Sequence, residues 1–235
     1  MALLEDLKDK VFEFASEAWE EIPNGRVVPT TDSVTFSNSG IYLDAAILYA
    51  DIHGSTKMVD SLDDELATEY YKSFLHCAAK IIKSEGGDVV AYDGDRVMAV
   101  FLNEDRVDCA IKVAFKISFV VDRVINPTFF AIYKQDHRAL KHTVGIDAGK
   151  VLVAKTGVRD DNDLVWVGPA ANYAAKLNSF EGLDSSYPTR ITAEAHALIL
   201  DQGLLVNSSG NVWEGAYTNL KTRKHYRSSW CLPFA

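Results

Sequence analysis

The 235-residue chain is poor in residues that staple a fold or anchor it. Its three cysteines, Cys77, Cys109 and Cys231, stand far apart with no CxxC pair. That excludes the pattern of a zinc cluster or a disulfide framework and implies a reduced, intracellular protein. No run approaches the roughly eighteen apolar residues of a membrane-crossing helix. The nearest, "ISFVVDRVI", carries Asp122 and Arg123. The first stretch, "MALLEDLKDKVFEFASEAWEEI", spaces acids among its apolar residues, unlike a secretion signal. The expectation is a soluble, cytoplasmic protein. Positive charge is also short, with 24 Lys and Arg against 33 Asp and Glu for a net charge of −9. Surfaces that bind nucleic acid or anionic membrane displace counterions with an excess of cations, so neither partner is expected. Any phosphate site must be local. The six histidines form no HExxH spacing, and no Ser-His-Asp or Cys-His pattern accompanies them.

What the chain does have is apolar substance, 48% of its residues, enough for one catalytic-sized domain behind a terminal extension. Leu3, Leu4, Leu7, Val11, Phe14, Ala15, Ala18 and Trp19 recur at helical spacing, which predicts an amphipathic helix near 3–21 packed on its own domain or on a second subunit. A Pro-, Gly- and Ser-rich connector follows, so the division is 1–40, helix and connector, and 41–235, catalytic domain. Patterning then predicts a strand at 45–52, a helix at 63–84 and a hairpin turning at Asp93-Gly94 in "DVVAYDGDRVMAVF". Beyond these come a helix at 104–125, strands in "KHTVGIDAGKVLVAKTG" and "DLVWVGPA", and a helix at 170–180. A strand at 189–192, a helix at 193–200 and strands near 203–207 and 219–232 complete the series. The fold class is α+β, a mixed sheet with helices packed on it. The run Arg159-Asp160-Asp161-Asn162-Asp163 reads as a solvated turn.

Two acids hold unusual places: Asp51, where the apolar run "ILYADIHGST" stops, and Asp95, just after the hairpin turn. If the two segments adjoin, both carboxylates emerge at one sheet edge beside the loop Ile52-His53-Gly54-Ser55-Thr56. Hard divalent cations take carboxylate and phosphate oxygens, and backbone amides entering a helix favour anions. Taken singly, these residues equally suit a helix cap and a turn.

The motifs "ADIHGST" (50–56), "YDGDRVMAVF" (92–101), "VGIDAGKVLVAKTG" (144–157) and "VWVGPAANYAAKL" (165–177), in that order, resemble the catalytic domain of class III nucleotidyl cyclases. The resemblance implies a ferredoxin-like βαββαβ core and a homodimer with two active sites, each built from both subunits. It implies two Mg²⁺ or Mn²⁺ ions per site, held by Asp51 and Asp95 with the Ile52 carbonyl. It places Gly54, Ser55 and Thr56, with Lys221 and Arg223, on the triphosphate of a nucleoside triphosphate, and Asn172 on the ribose from the opposite subunit. The 159–163 hairpin would form an arm of the dimer interface.

Three positions depart from the purine-specific pattern. Ala91 stands where adenylate cyclases carry a base-reading lysine and guanylate cyclases a glutamate, and Val165 stands where Asp, Thr or Cys completes base recognition. Lys176 replaces the transition-state arginine; it keeps the charge and lacks the bidentate fork. This pattern is similar to the bacterial pyrimidine cyclases of the Pycsar anti-phage systems, which make cyclic UMP or cyclic CMP. Tyr49, on the same strand face as Asp51, is then expected to meet the base, with Tyr92, Arg96 and Trp166 in reserve. The alternative for Tyr49 is a core residue whose hydroxyl is satisfied locally. The rival readings are an adenylate cyclase with an atypical base pocket and a catalytically silent homologue that binds nucleotide or dimerises. The resemblance further implies a separate effector that reads the product through a cyclic-nucleotide-binding domain.

Overall fold

The sequence IYLDAAILYADI alternates side chains across strand β1 (Ile41–Ile52). Ala46, Leu48, Ala50 and Ile52 enter the main apolar cluster, which leaves Ile47, Tyr49 and Asp51 on the reverse face. The computed structural model describes residues 2–134, 137–180, 184–208, 210–220 and 222–234. It divides into two compact units, one holding the residues up to Asp44 with Lys150–Gly168, the other Ala45–Gly149 and Pro169 onward.

In the larger unit, β1 leads through the short α2 (Ser55–Val59) to α3 (Asp64–Ser84). Helix α3 buries Ala67, Tyr70, Phe74, Ala78, Ile81 and Ile82, a stripe at helical spacing, and sets Asp64 and Glu65 in its first turn, where the helix dipole favours acids. Hairpin strands β2 (Asp88–Asp93) and β3 (Arg96–Phe101) follow, then α4 (Arg106–Val120), apolar on nearly every side. The helical path continues through a π turn at Val121–Ile125 into α5 (Asn126–Tyr133). The expected end at 125 is therefore passed. Pro127 brings no N–H, and its ring crowds the preceding turn; the wider π turn absorbs both.

Strand β4 (His142–Val158) precedes α6 (Pro169–Asn178), β6 (Thr189–Thr192) and α7 (Ala193–His196). Helix α7 stops four residues short of the expected 200 because the Asp108 carboxylate accepts the amides of Leu200 and Asp201 at 3.0 and 2.9 Å, fixing that segment as a loop. A small pair β7 (Val206–Asn207) and β8 (Gly210–Asn211) precedes the hairpin β9 (Glu214–Leu220) and β10 (Arg223–Ser228), where one long strand over 219–232 was expected. The sheet order is β2-β3-β1-β4-β6-β10-β9, with β6 parallel to β4 and β3 antiparallel to both β1 and β2. The β1-α3-β2-β3-α4-β4 portion is the ferredoxin-like βαββαβ core.

Helices α3 and α4 cover one face of this sheet, through Leu48, Ala50, Val97, Ala99, Val144, Ile146 and Ile191. Removing Phe74, which is 1% exposed, should cost roughly 3–5 kcal/mol. Helix α6 lies on the opposite face. A Cβ at Gly145 would stand 2.2 Å from the Ala174 carbonyl oxygen, so only glycine lets α6 approach β4 this closely. Asn178, at the end of α6, donates to the carbonyls of Thr143 at 3.0 Å and Tyr49 at 3.4 Å, tying that helix to both central strands.

In the smaller unit, α1 (Ala2–Ser16) buries none of its residues and exposes Leu3, Leu4, Leu7, Val11 and Phe12. It ends at Ser16 and not near 21, because the Asn38 amide donates to the carbonyls of Phe14 and Glu17 at 2.9 and 2.8 Å, capping the last turn. The second half of β4 pairs with β5 (Asp161–Val167), and the turn between them carries Asp160 at positive φ.

Candidate active site

Register places the first group of functional residues. Tyr49 pairs with Met98 and Ala50 with Val97, so Asp51 lies beside the end of β3 where the hairpin turns. The turn itself is Gly94-Asp95, closed by the pair Asp93 and Arg96, one residue later than expected; Asp95 sits in it. Gly94, at φ 61°, supplies the left-handed backbone the tight loop needs. The Asp51 and Asp95 carboxylates meet. Burial and the neighbouring Asp95 push the Asp51 pKa up to about 7, against a smaller opposing pull from Arg96 and the Ile52 amide. Asp51 Oδ1 and Asp95 Oδ2 are both buried without a hydrogen-bond partner among the described residues.

Two facing carboxylates with orphaned oxygens fit a divalent cation, which would satisfy both at once. No group of three or more His, Cys, Asp or Glu that could hold a metal ion exists among the described residues, so the remaining donors must be carbonyl, water or substrate oxygens. Above the pair lies the loop with Gly54 at φ 75° and open space on its Cβ side. The expected amide cradle is narrower than 52–56, because the His53 amide is already spent on the Lys141 carbonyl at 2.8 Å. Tyr71 of α3, which the sequence did not single out, reaches the Ser55 side chain; burial, then the Asp95 and Asp51 charges, raise its pKa.

The same sheet face carries a row Tyr49, Met98, Ala91 across β1, β3 and β2. Burial raises the Tyr49 pKa, and its hydroxyl has no hydrogen-bond partner among the described residues. The Arg96 guanidinium lies 5.5 Å from the Tyr49 ring centre and pairs with Asp93 at 2.6 Å. Tyr92 points the other way and is 57% exposed.

A second group gathers at β4, β6, β10 and α6. Asn172 and Lys176 stand one helical turn apart, both exposed, on α6. Lys176 Nζ lies 4.7 Å from the Tyr173 ring centre and the Arg223 guanidinium 4.4 Å from it. Arg223 is held by Asp147, fully buried, and by Glu194 at 3.4 Å. Burial pushes the Asp147 pKa up to about 6, opposed by the Thr192 hydroxyl and the Arg223 charge. No side-chain hydrogen bond or ion pair joins Asn172, Lys176, Asp147 or Arg223 to Asp51 or Asp95 among the described residues. Lys221 lies outside the described residues. Val165 belongs to the smaller unit, where it faces Ala154 across the β4–β5 ladder and is 40% exposed, with Trp166 opposite Val153.

A profile described as "Adenylate and Guanylate cyclase catalytic domain" matches residues 39–212, most of the chain. The chain belongs to the class III nucleotide cyclases. Its relatives include a protein of Xanthomonas perforans named uridylate cyclase, 44% identical over 95% of this chain and 97% of that one. Another of the same name, from Burkholderia cepacia, is 40% identical over 98% of both chains. Among solved structures, the adenylyl cyclase CyaB from P. aeruginosa aligns with a TM-score of 0.68 at 19% identity, over 80% of this cyclase and 95% of that chain. The cyclase has no helix long and apolar enough to cross a membrane among the described residues.

Proposed function

We propose that this cyclase is a divalent-metal-dependent pyrimidine nucleotide cyclase, converting UTP or CTP to the 3′,5′-cyclic nucleotide and pyrophosphate. The observation that carries the substrate class is the row Tyr49, Met98, Ala91. Where a purine cyclase needs a charged side chain, this row offers a methyl group and a buried thioether, and the Tyr49 hydroxyl is its one hydrogen-bonding group. A site that bonds a base edge through a single phenol, with the ring itself filling the width of a second base ring, selects a one-ring base. The two full-length relatives named uridylate cyclase support the same reading.

Asp51 and Asp95, with the Ile52 carbonyl, would hold Mg²⁺ or Mn²⁺, two ions per site. The metal supplies charge neutralisation for the triphosphate and acidifies the attacking 3′-hydroxyl. The remaining work is positioning. The Gly54-Ser55-Thr56 loop receives phosphate oxygens, Asn172 orients the ribose, and Lys176 with Arg223 balances charge on the departing pyrophosphate. Since no side-chain hydrogen bond or ion pair among the described residues joins Asn172, Lys176 or Arg223 to Asp51 or Asp95, a complete site is read as the metal half of one subunit with the cation half of another, in a homodimer. The biological role read from the sequence pattern is a cytoplasmic anti-phage signal received by a separate cyclic-nucleotide-binding effector.

The test is to incubate the purified protein with ATP, GTP, CTP and UTP and Mn²⁺ and identify products by mass spectrometry. Cyclic UMP or cyclic CMP is the expected product. Cyclic AMP alone would return the substrate reading to an atypical adenylate cyclase, and no product from any nucleotide would leave a silent homologue.

A further inference from the structure

Tyr173 sits between the two candidate catalytic residues of α6, one position after Asn172 and three before Lys176. Between Asn172 and Lys176 the helix otherwise carries only Ala174 and Ala175, so a large aromatic ring there needs a reason. Its ring takes the Lys176 ammonium at 4.7 Å and the Arg223 guanidinium at 4.4 Å. Its hydroxyl shares a hydrogen bond with the Thr222 hydroxyl at 2.7 Å, which links α6 to the start of β10. Arg223 is in turn fixed from below. It donates through Nη1 to the fully buried Asp147, which also receives the Thr192 hydroxyl and the Ala148 amide, and it faces Glu194 through Nε. Its Nη2 has no protein partner among the described residues.

Two cations at one ring repel each other, and a free lysine stem would swing away. The negative face of an aromatic ring offsets that repulsion, more strongly where water is excluded. Resting on the cyclase reading above, we propose that Tyr173 is a positioning residue that couples Lys176 and Arg223 into one two-cation clamp for the triphosphate. Arg223, locked by Asp147, then contributes the planar guanidinium that position 176 lacks, and Lys176 contributes the movable charge. This accounts for a chain that tolerates lysine where its family carries arginine.

The closing experiment compares kcat and KM for UTP with Mn²⁺ in the parent, Tyr173→Phe, Tyr173→Leu, the double variant Lys176→Ala/Arg223→Ala, and that double variant combined with Tyr173→Leu. Affinity for inorganic tripolyphosphate, measured by calorimetry on the same proteins, gives a readout that needs no turnover. Tyr173→Phe keeps the ring and should stay within about threefold of the parent. Tyr173→Leu should lower kcat about tenfold with a smaller rise in KM, and weaken tripolyphosphate, yet cost nothing further once both cations are gone. If Tyr173→Leu fails to fold, Tyr173→Met takes its place under the same expectation. An equal loss in the background without cations, or a loss in Tyr173→Phe as large as in Tyr173→Leu, would overturn the clamp while leaving the cyclase reading in place. A parent inactive with all four nucleotides would instead remove the reading on which the clamp rests.

Discussion

Asp51, half-buried, and Asp147, fully buried, are aspartates on the same sheet face, and burial pushes both pKa values up, to about 7 and about 6 respectively. Their surroundings differ. Asp147 is neutralised by its own chain, through Arg223, the Thr192 hydroxyl and the Ala148 amide. Asp51 faces a second acid and keeps an oxygen, Oδ1, with no donor among the described residues. A buried charge is tolerated when paired and costly when not, so Asp147 is settled by its own chain while the Asp51 pair suits an outside cation, as the proposed metal site requires.

Breaking each acid should therefore give opposite signatures. Asp51→Ala or Asp95→Ala is expected to cut turnover by at least about 10³-fold while leaving the melting temperature nearly unchanged or raised, because electrostatic stabilisation of the transition state is lost while the facing acids no longer repel. Asp147→Ala should unfold more readily, by roughly 3–5 kcal/mol, since it strands a partly buried arginine; denaturant titration measures this. A melting temperature that falls as far in Asp51→Ala as in Asp147→Ala would erase the distinction.

Acidity sharpens the same comparison. The folded pKa of Asp51, about 7, lies above its ordinary value of 3.8. Its favourable contribution is thus fully present below pH 3.8 and is lost as the pH rises through 7. Asp51→Asn should then be more stable than the ion-free parent at pH 8, with the gap closing toward pH 4. Thermal melts across that range check it. The smallest effect expected is on base choice: Tyr49→Phe should shift the ratio of pyrimidine to purine product by about tenfold, the worth of one hydrogen bond, as read from product ratios in mixed nucleotides.

Much of this was legible in the sequence because it rests on local pattern. The alternation in β1 and the turn residues around Gly94 set Asp51 and Asp95 side by side and put Tyr49 on the face of Asp51, while the row through Met98 and Ala91 came from register. The stripe from Tyr70 to Ile81 likewise announced the core face of α3. What stayed hidden depends on contacts between distant segments. Tyr71 sits next to the core stripe in sequence, and nothing local marks that it turns toward Ser55. The cluster of Asp147, Tyr173, Thr192 and Arg223 spans three strands and a helix, and no spacing rule connects such residues. One signal was available, a tyrosine in the alanine-rich turn between Asn172 and Lys176. The early end of α1 had no pattern to mark it, because its cap comes from Asn38, well beyond the helix.

The central claim is that Asp51 and Asp95 hold divalent cations jointly. Electron paramagnetic resonance titration of Mn²⁺, in the presence of a UTP analogue lacking the 3′-hydroxyl, tests it directly. The parent protein should bind the ion, and Asp51→Asn and Asp95→Asn should each lose most of that binding. Equal Mn²⁺ binding by the parent and both variants would contradict it.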